Sequence, residues 1–148
     1  MYTVRHLLQE KGNQVWSIAP QASVYDALQL MADKNIGALL VIENNKVVGI
    51  FTERDYARKV VLHGRSSKTT TVGELESVDV LYVSPDDSIE NCMAIMTDKR
   101  LRHLPVLEGD KLVGLVSIGD VVKAVISDRE FTIRELERYI TGGHSSPV

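Results

Sequence analysis

The feature that most limits what this chain can fold into is an internal repeat at a separation of 65 residues. Pro20 returns as Pro85, Ser23 as Ser88, Met31 as Met96, Val41 as Val106, Lys46 as Lys111, Gly49 as Gly114 and Asp55 as Asp120. The pair Asp33-Lys34 returns as Asp98-Lys99, and no gap is needed from Val15/Val80 to Val60/Val125. Such self-similarity marks one supersecondary unit used twice. Each copy holds only about 50 residues, a size that buries little by itself. The copies are therefore expected to share one core. Packed face to face they define a pseudo-twofold cleft, and junctions of that kind hold ligands.

The totals bound the rest. A length of 148 residues is that of one domain. A formal charge of −3 gives no reason to expect nucleic acid or an anionic membrane as partner over the whole surface. Cys92 is the single cysteine, which excludes an internal disulfide and any multi-cysteine metal site. The opening MYTVRHLLQEKGNQ has no long apolar run and does not read as a signal peptide. No stretch approaches the length of a membrane span, and the cytoplasm is the expected compartment.

Each copy reads strand, helix, strand, strand, helix. The first strands are Val15 to Ile18 and Val80 to Val83. Ser23 and Ser88 stand at helix N-caps, supported three residues on by Asp26 and Asn91; only the first approaches a capping box. Val24, Ala27, Leu28 and Met31 form an apolar stripe at helical spacing, and Ile89, Cys92, Met93 and Met96 form its twin. Two hairpins follow, Ala38–Ile42 with Val47–Phe51 and His103–Leu107 with Leu112–Val116, each broken by Asn, Gly or Asp turn residues. A helix joins the first strand to the second, so those two run parallel. Final helices begin at Thr52 and Ser117.

Thr3–Leu7 resembles Thr71–Leu75, giving each copy a short lead-in, and HGRSSKTT (63–70) is the polar linker. Phe131 to Ile140 reads as an extra helix with an apolar face, and Gly142 to Val148 as a frayed tail. The implied division is 1–65 for the first repeat with its lead-in, 66–128 for the linker and second repeat, and 129–148 for the C-terminal helix and tail.

The chemistry concentrates at the ends of the hairpins. Gly49-Ile50-Phe51-Thr52-Glu53-Arg54-Asp55 and Gly114-Leu115-Val116-Ser117-Ile118-Gly119-Asp120 share a glycine, two apolar residues, a hydroxyl and an aspartate. A hydroxyl followed three residues later by Asp caps a helix start and answers its dipole. The same geometry suits Asp55 and Asp120 to hold the vicinal hydroxyls of a ribose, as an acidic residue does in dinucleotide folds. Backbone N–H groups at a helix start favour an anion there.

A second constellation is asymmetric. Lys99-Arg100-Leu101-Arg102-His103 leads into an apolar strand where the first copy has Lys34-Asn35-Ile36-Gly37-Ala38. Charge entering a strand is expensive to desolvate without a partner. Either Arg102 and His103 form a basic helix end that complements the macrodipole, or they bind phosphate, for which arginine is well shaped. Arg54 and Arg58 lie four apart on one helix face, with a solvated face and a phosphate contact as the two readings. Trp16 covers apolar surface, and Cys92 is an inert core thiol. No nucleophile elbow, HExxH, Walker loop or GxGxxG is present.

Together these residues resemble a tandem pair of CBS domains, the Bateman module, over Thr3 to about Ile126. The resemblance rests on the paired Gly-x-x-[Thr/Ser]-x-x-Asp segments, the Arg102-His103-Leu104-Pro105-Val106 run and the gap-free repeat. Small stand-alone two-repeat members carry runs similar to Phe51 to Val60 and Gly64 to Lys68. The resemblance implies an α/β (α+β) fold of two β-α-β-β-α repeats with pseudo-twofold symmetry. It also implies a non-catalytic regulatory module that binds AMP, ATP, NAD(H) or S-adenosylmethionine between the repeats and senses energy or redox state.

By position, Asp55 and Asp120 would hold ribose, and Thr52 and Ser117 would sit beside ribose or phosphate. Arg102, His103, Arg54 and Arg58 would meet phosphate. Ser17, Ile18, Ile36, Gly37, Ala38 and Val83 would line the adenine pocket. Gly37 and Ala38 put a second, equivalent phosphate site in question. The family also forms dimers through its helices, so a homodimer and a regulated partner protein are expected. A protein-interaction module without nucleotide is the alternative, and a small enzyme a third reading.

Overall fold

The computed structural model describes residues 2–75 and 80–141. Its order is α1 (Val4–Lys11), β1 (Ser17–Ile18), α2 (Val24–Lys34), β2 (Ala38–Glu43), β3 (Lys46–Thr52) and α3 (Glu53–Asp55). A π-helix (Tyr56–Val61) and a 3₁₀ helix (Val72–Leu75) follow, then α4 (Ile89–Lys99), β4 (His103–Glu108), β5 (Lys111–Ser117) and α5 (Ile118–Thr141). This is a mixed α+β fold of two repeats, as the sequence predicts.

The repeat survives in the hydrogen bonds. Ser23 and Ser88 cap α2 and α4 by accepting from the amides of Asp26 and Asn91, both at 3.0 Å. The caps are one-sided, because Asp26 does not return the bond that a capping box requires. Both helices end on a left-handed residue, Asn35 (φ 54°) and Arg100 (φ 56°). The hairpins pair in matched register, Ala38 with Thr52 and His103 with Ser117, and each carries an irregularity one step after the pair Val41/Gly49 or Val106/Gly114. In the first hairpin Asn44 and Asn45 both have positive φ, the conformation that two-residue hairpin loops favour.

Three expectations change. The first strands are shorter than predicted: Ser17–Ile18 pairs in parallel with Leu40–Val41, and the second copy keeps a single parallel bridge, Val83 to Val106. The segment Phe131 to Ile140 is no separate helix but the end of α5, which runs unbroken for 24 residues. Arg129 and Glu130, which precede that segment, are strong helix formers, so the helix continues through them. The predicted tail, Gly142 to Val148, lies outside the described residues.

The third change concerns the core. There is not one shared core but two clusters, and the lead-ins are exchanged between them. Val4, Leu7 and Leu8 of α1 pack with the second repeat, against Val83, Ile89, Cys92, Met96, Leu104, Val106 and Val116. Val72 and Leu75 of the second lead-in pack with the first repeat, against Val24, Ala27, Met31, Leu39, Val41, Phe51 and Val60. Matched backbone bonds fix the exchange. Val4 N donates to Asp87 O at 2.9 Å as Val72 N does to Ala22 O at 2.9 Å. Arg5 N donates to Pro85 O at 2.9 Å as Gly73 N does to Pro20 O at 2.8 Å. Each small repeat thus gains the apolar surface it lacks from the other's lead-in. Cys92 is fully buried, and burial first, then the charge of Asp87, pushes its thiol up to about 11.

Candidate functional site

A cleft of about 780 Å³ opens where the first repeat's strand–helix junction faces the entrance of β4. Its walls include Gly37, Gly49 to Asp55, Arg58, Lys59, Val72, Leu75, Val80, Leu81 and Arg100 to His103. The volume falls within the range of small-molecule pockets.

Thr52 ends β3 and caps α3. Its hydroxyl accepts from the Asp55 amide at 3.2 Å, and Asp55 Oδ2 accepts from the Thr52 amide at 2.9 Å and the Thr52 hydroxyl at 3.1 Å. This capping box uses one carboxylate oxygen. The other, Oδ1, lies 3.5 Å from Lys59 Nζ. The helix start is tied back to the strand entrance, since Glu53 N donates to Gly37 O at 3.2 Å. Gly37 matters for space: a Cβ there would lie 3.1 Å from Glu53 Oε1. Beyond Asp55 the backbone winds as a π-helix, and it brings both Arg58 and Lys59 to the cleft. Single π-turns inside helices are frequent at functional sites.

The lining is rich in basic side chains: Arg54, Arg58, Lys59, Arg100, Arg102 and His103 share it with the acidic pair Glu53 and Asp55. Among the described residues, Arg54, Arg58, Arg100 and Arg102 form no ion pair. Such a concentration of unpaired cations in a chain of net charge −3 raises the local potential for an anion. Arg100 also holds a backbone conformation (φ 56°) that non-glycine residues adopt at a penalty. Burial first, then the charge of Lys11, keeps the His103 ring below the ordinary imidazole value, with Arg102 adding to that and Asp120 opposing it. The charged form of the His103 ring is thus disfavoured in the cleft.

The structure brings together Thr52, Asp55, Arg54, Arg58, Arg102, His103 and Gly37 from the sequence-derived set. It does not bring Ser117, Asp120, Ser17, Ile18, Ile36, Ala38 or Val83 to this cleft. Val83 points into the second core cluster at 2 % exposure, two residues beyond the cleft-lining Leu81. Ala38 is buried in β2, while Ile36 borders a smaller hollow of about 290 Å³ with Gly37 and Glu53. Lys59, Arg100, Leu75 and Val80 line the cleft without having been selected. For Arg100 a signal existed, because it stands where the first repeat has Asn35, a residue that tolerates left-handed backbone.

The twin junction is built alike but engaged differently. Asp120 Oδ2 accepts from the Ser117 amide at 2.9 Å, and the Asp120 amide donates to Ser117 Oγ at 3.1 Å. Ile118 N donates to Arg102 O at 2.8 Å, matching Glu53 and Gly37. Here, though, Lys11 Nζ from α1 sits 2.5 Å from Asp120 Oδ2 and 2.7 Å from Leu115 O. Burial alone would raise the Asp120 carboxyl; the bonds from Lys11 and from the Ser117 amide and hydroxyl outweigh it and hold the group below its ordinary value. Among the described residues, no cluster of His, Cys, Asp or Glu is placed to hold a metal ion. Nor is any described helix long and apolar enough to cross a membrane.

Comparison with known proteins agrees with this architecture. The family model described as "CBS domain" matches twice, over residues 4–62 and 72–127. A putative signal-transduction protein with CBS domains from Burkholderia ambifaria is 53 % identical. It superposes with a TM-score of 0.81 over 85 % of this chain and 95 % of that one. A CBS-domain-containing protein from Agrobacterium tumefaciens gives 37 % identity and a TM-score of 0.78, over 82 % of this chain and 98 % of that one. The mitochondrial CBS domain-containing protein CBSX3 of Arabidopsis thaliana is 39 % identical over 96 % of this chain and 73 % of its own length.

Proposed function

This chain belongs to the CBS-domain family of regulatory modules, and from that premise we propose that it is a non-catalytic sensor binding an adenine nucleotide in the Asp55 cleft. The observation that carries the reading is the pairing of one capped carboxylate with four arginines that form no ion pair among the described residues. Asp55 would accept from the vicinal ribose hydroxyls. Arg54, Arg58, Arg100 and Arg102 complement a phosphate chain, with His103 beside them in the lining. Leu75, Val80 and Leu81 offer apolar surface for the base.

The charge ranks the ligands. Five cationic side chains (Arg54, Arg58, Lys59, Arg100, Arg102) against two carboxylates (Glu53, Asp55) favour AMP, ADP or ATP, and then NAD(H), over cationic S-adenosylmethionine. In this reading the protein acts in the cytoplasm, in keeping with a single free cysteine, and passes nucleotide occupancy to a partner protein.

Calorimetry with AMP, ATP, NAD, NADH, adenosine and S-adenosylmethionine tests the reading. AMP is expected to bind, and Arg102→Ala to weaken AMP by about 10-fold or more, as the loss of a charge-assisted hydrogen bond of about 1.5–3 kcal/mol requires, while leaving adenosine nearly unchanged. No heat with any adenine nucleotide at millimolar concentration overturns it.

The outer face of α5 favours a second reading, that of an interaction module and homodimer. Phe131, Ile133, Leu136, Tyr139 and Ile140 are each more than half exposed, an apolar run of the kind that marks association. Light scattering at tens of micromolar is expected to give the mass of a dimer, and a monomer mass would remove this reading.

A further inference from the structure

The two strand–helix junctions carry one motif, yet matched positions have opposite surroundings. Gly49 lines the cleft; its match Gly114 is covered by Leu8, whose Cδ2 would lie 2.7 Å from a Cβ built there. Ile50 lines the cleft; its match Leu115 gives its carbonyl to Lys11 at 2.7 Å. Asp55 lines the cleft; its match Asp120 takes the Lys11 ammonium at 2.5 Å.

Leu8 and Lys11 are three residues apart on α1, so they share one face of that helix. Val4 and Leu7 hold the same helix in the second core cluster. Lys59 is not an equal counterpart of Lys11. It comes from the turn after Asp55 on the same segment, at 3.5 Å, and the second repeat has Ala124 at its position. The second lead-in has no cation to offer either, since residues 76–79 read Glu-Ser-Val-Asp.

We propose that α1 is a built-in plug. Leu8 and Lys11 fill the half-cleft at Asp120 that matches the nucleotide cleft at Asp55, so the chain presents one nucleotide site where its repeat would make two. The proposal rests on the nucleotide reading above for the ligand, but not for the plug itself. An ammonium on a carboxylate forms a charge-assisted bond stronger than a neutral hydroxyl can offer. A ribose therefore does not displace Lys11, whereas removal of the lysine stem frees both Asp120 and the Leu115 carbonyl.

The test is the stoichiometry of AMP binding by calorimetry at up to millimolar AMP, on the full chain. Wild type is expected to bind one AMP, and Asp55→Ala none. Lys11→Ala, which places the best helix former at the exposed C-terminal end of α1, is expected to bind two. Lys11→Ala/Asp55→Ala keeps one, and adding Asp120→Ala removes it. The proposal is overturned if wild type already binds two, or if Lys11→Ala still binds one and Lys11→Ala/Asp55→Ala binds none. If wild type binds no AMP, the cleft reading fails by itself. Asp120-dependent binding by Lys11→Ala would then still support the plug, and no binding by Lys11→Ala would overturn it as well.

Discussion

The junction at Thr52–Asp55 and the junction at Ser117–Asp120 are built to one local plan. Each has a hydroxyl cap, a carboxylate answering the strand's last amide at 2.9 Å, and a helix start tied to the opposite strand entrance. They differ in what surrounds them. One faces a cationic cleft of about 780 Å³; the other faces a lysine from the first helix. A duplicated motif specifies local hydrogen bonding twice over, but its surroundings are set by residues distant in the chain, Arg100 to His103 beside Asp55 and Lys11 beside Asp120, and those are not duplicated.

The sharpest way to break this comparison is to remove the two carboxylates separately. Asp55→Ala is expected to remove measurable AMP binding at up to millimolar AMP, a loss no smaller than the about 10-fold that a hydrogen bond to a charged group accounts for, and Asp120→Ala to leave AMP affinity within about twofold, both read by calorimetry. Each loses the carboxylate that returns a bond to the last strand amide, so the affinity difference separates binding from capping. Equal losses of affinity would erase the distinction drawn between the junctions.

A second test probes the docking of α1. Gly114→Ala drives a methyl into Leu8 and is expected to destabilise by about 1–3 kcal/mol, as overpacking does, in urea unfolding. Its match Gly49→Ala is expected to be milder, since that strand position borders the cleft.

Arg100 and Asn35 supply a third pair. Arg100→Asn relaxes a left-handed position (φ 56°) and is expected to stabilise the fold by about 0.5 kcal/mol, while lowering AMP affinity severalfold. A variant that gains stability and keeps its affinity would show that the cleft does not use Arg100.

The smallest effect is that of pH on His103. Its folded value lies below the ordinary 6.5, so the unfolded chain binds the extra proton first as pH falls. Stability is therefore expected to fall from about pH 6.5 downward, until the folded pKa is passed. His103→Gln is expected to show a shallower decline in unfolding midpoint between pH 7.5 and 5.5; an identical decline would mean that the ring does not sense the cleft.

Much of this was legible in the sequence because local physics decides it. The 65-residue repeat placed α2, α4 and both hairpins, and the caps at Ser23, Ser88 and Thr52 follow from hydroxyls at helix starts. Asp55, Arg102 and Gly37, which the resemblance singles out, line one cleft. What sequence could not show is long-range. Thr3–Leu7 and Thr71–Leu75 match each other, but the match does not say which repeat's core each joins, and they join the opposite one. Lys11 is an ordinary helix-end cation until the fold brings it to Asp120. The π-helix at Tyr56–Val61 has no local signal, since the same positions in the second repeat, with the same number of residues, wind as part of α5.

The exchange of lead-ins has a consequence for how the molecule comes apart. Opening the first repeat strips Val72 and Leu75 of their neighbours, and opening the second strips Val4, Leu7 and Leu8. Neither half can melt while leaving the other whole, so two clusters behave as one cooperative unit, and a thermal scan should show a single transition. A ligand held in a cleft built largely from the first repeat then raises the melting temperature of the entire chain. Interlocking spreads stabilisation at one pocket over both clusters, since each holds apolar residues of the other repeat's lead-in.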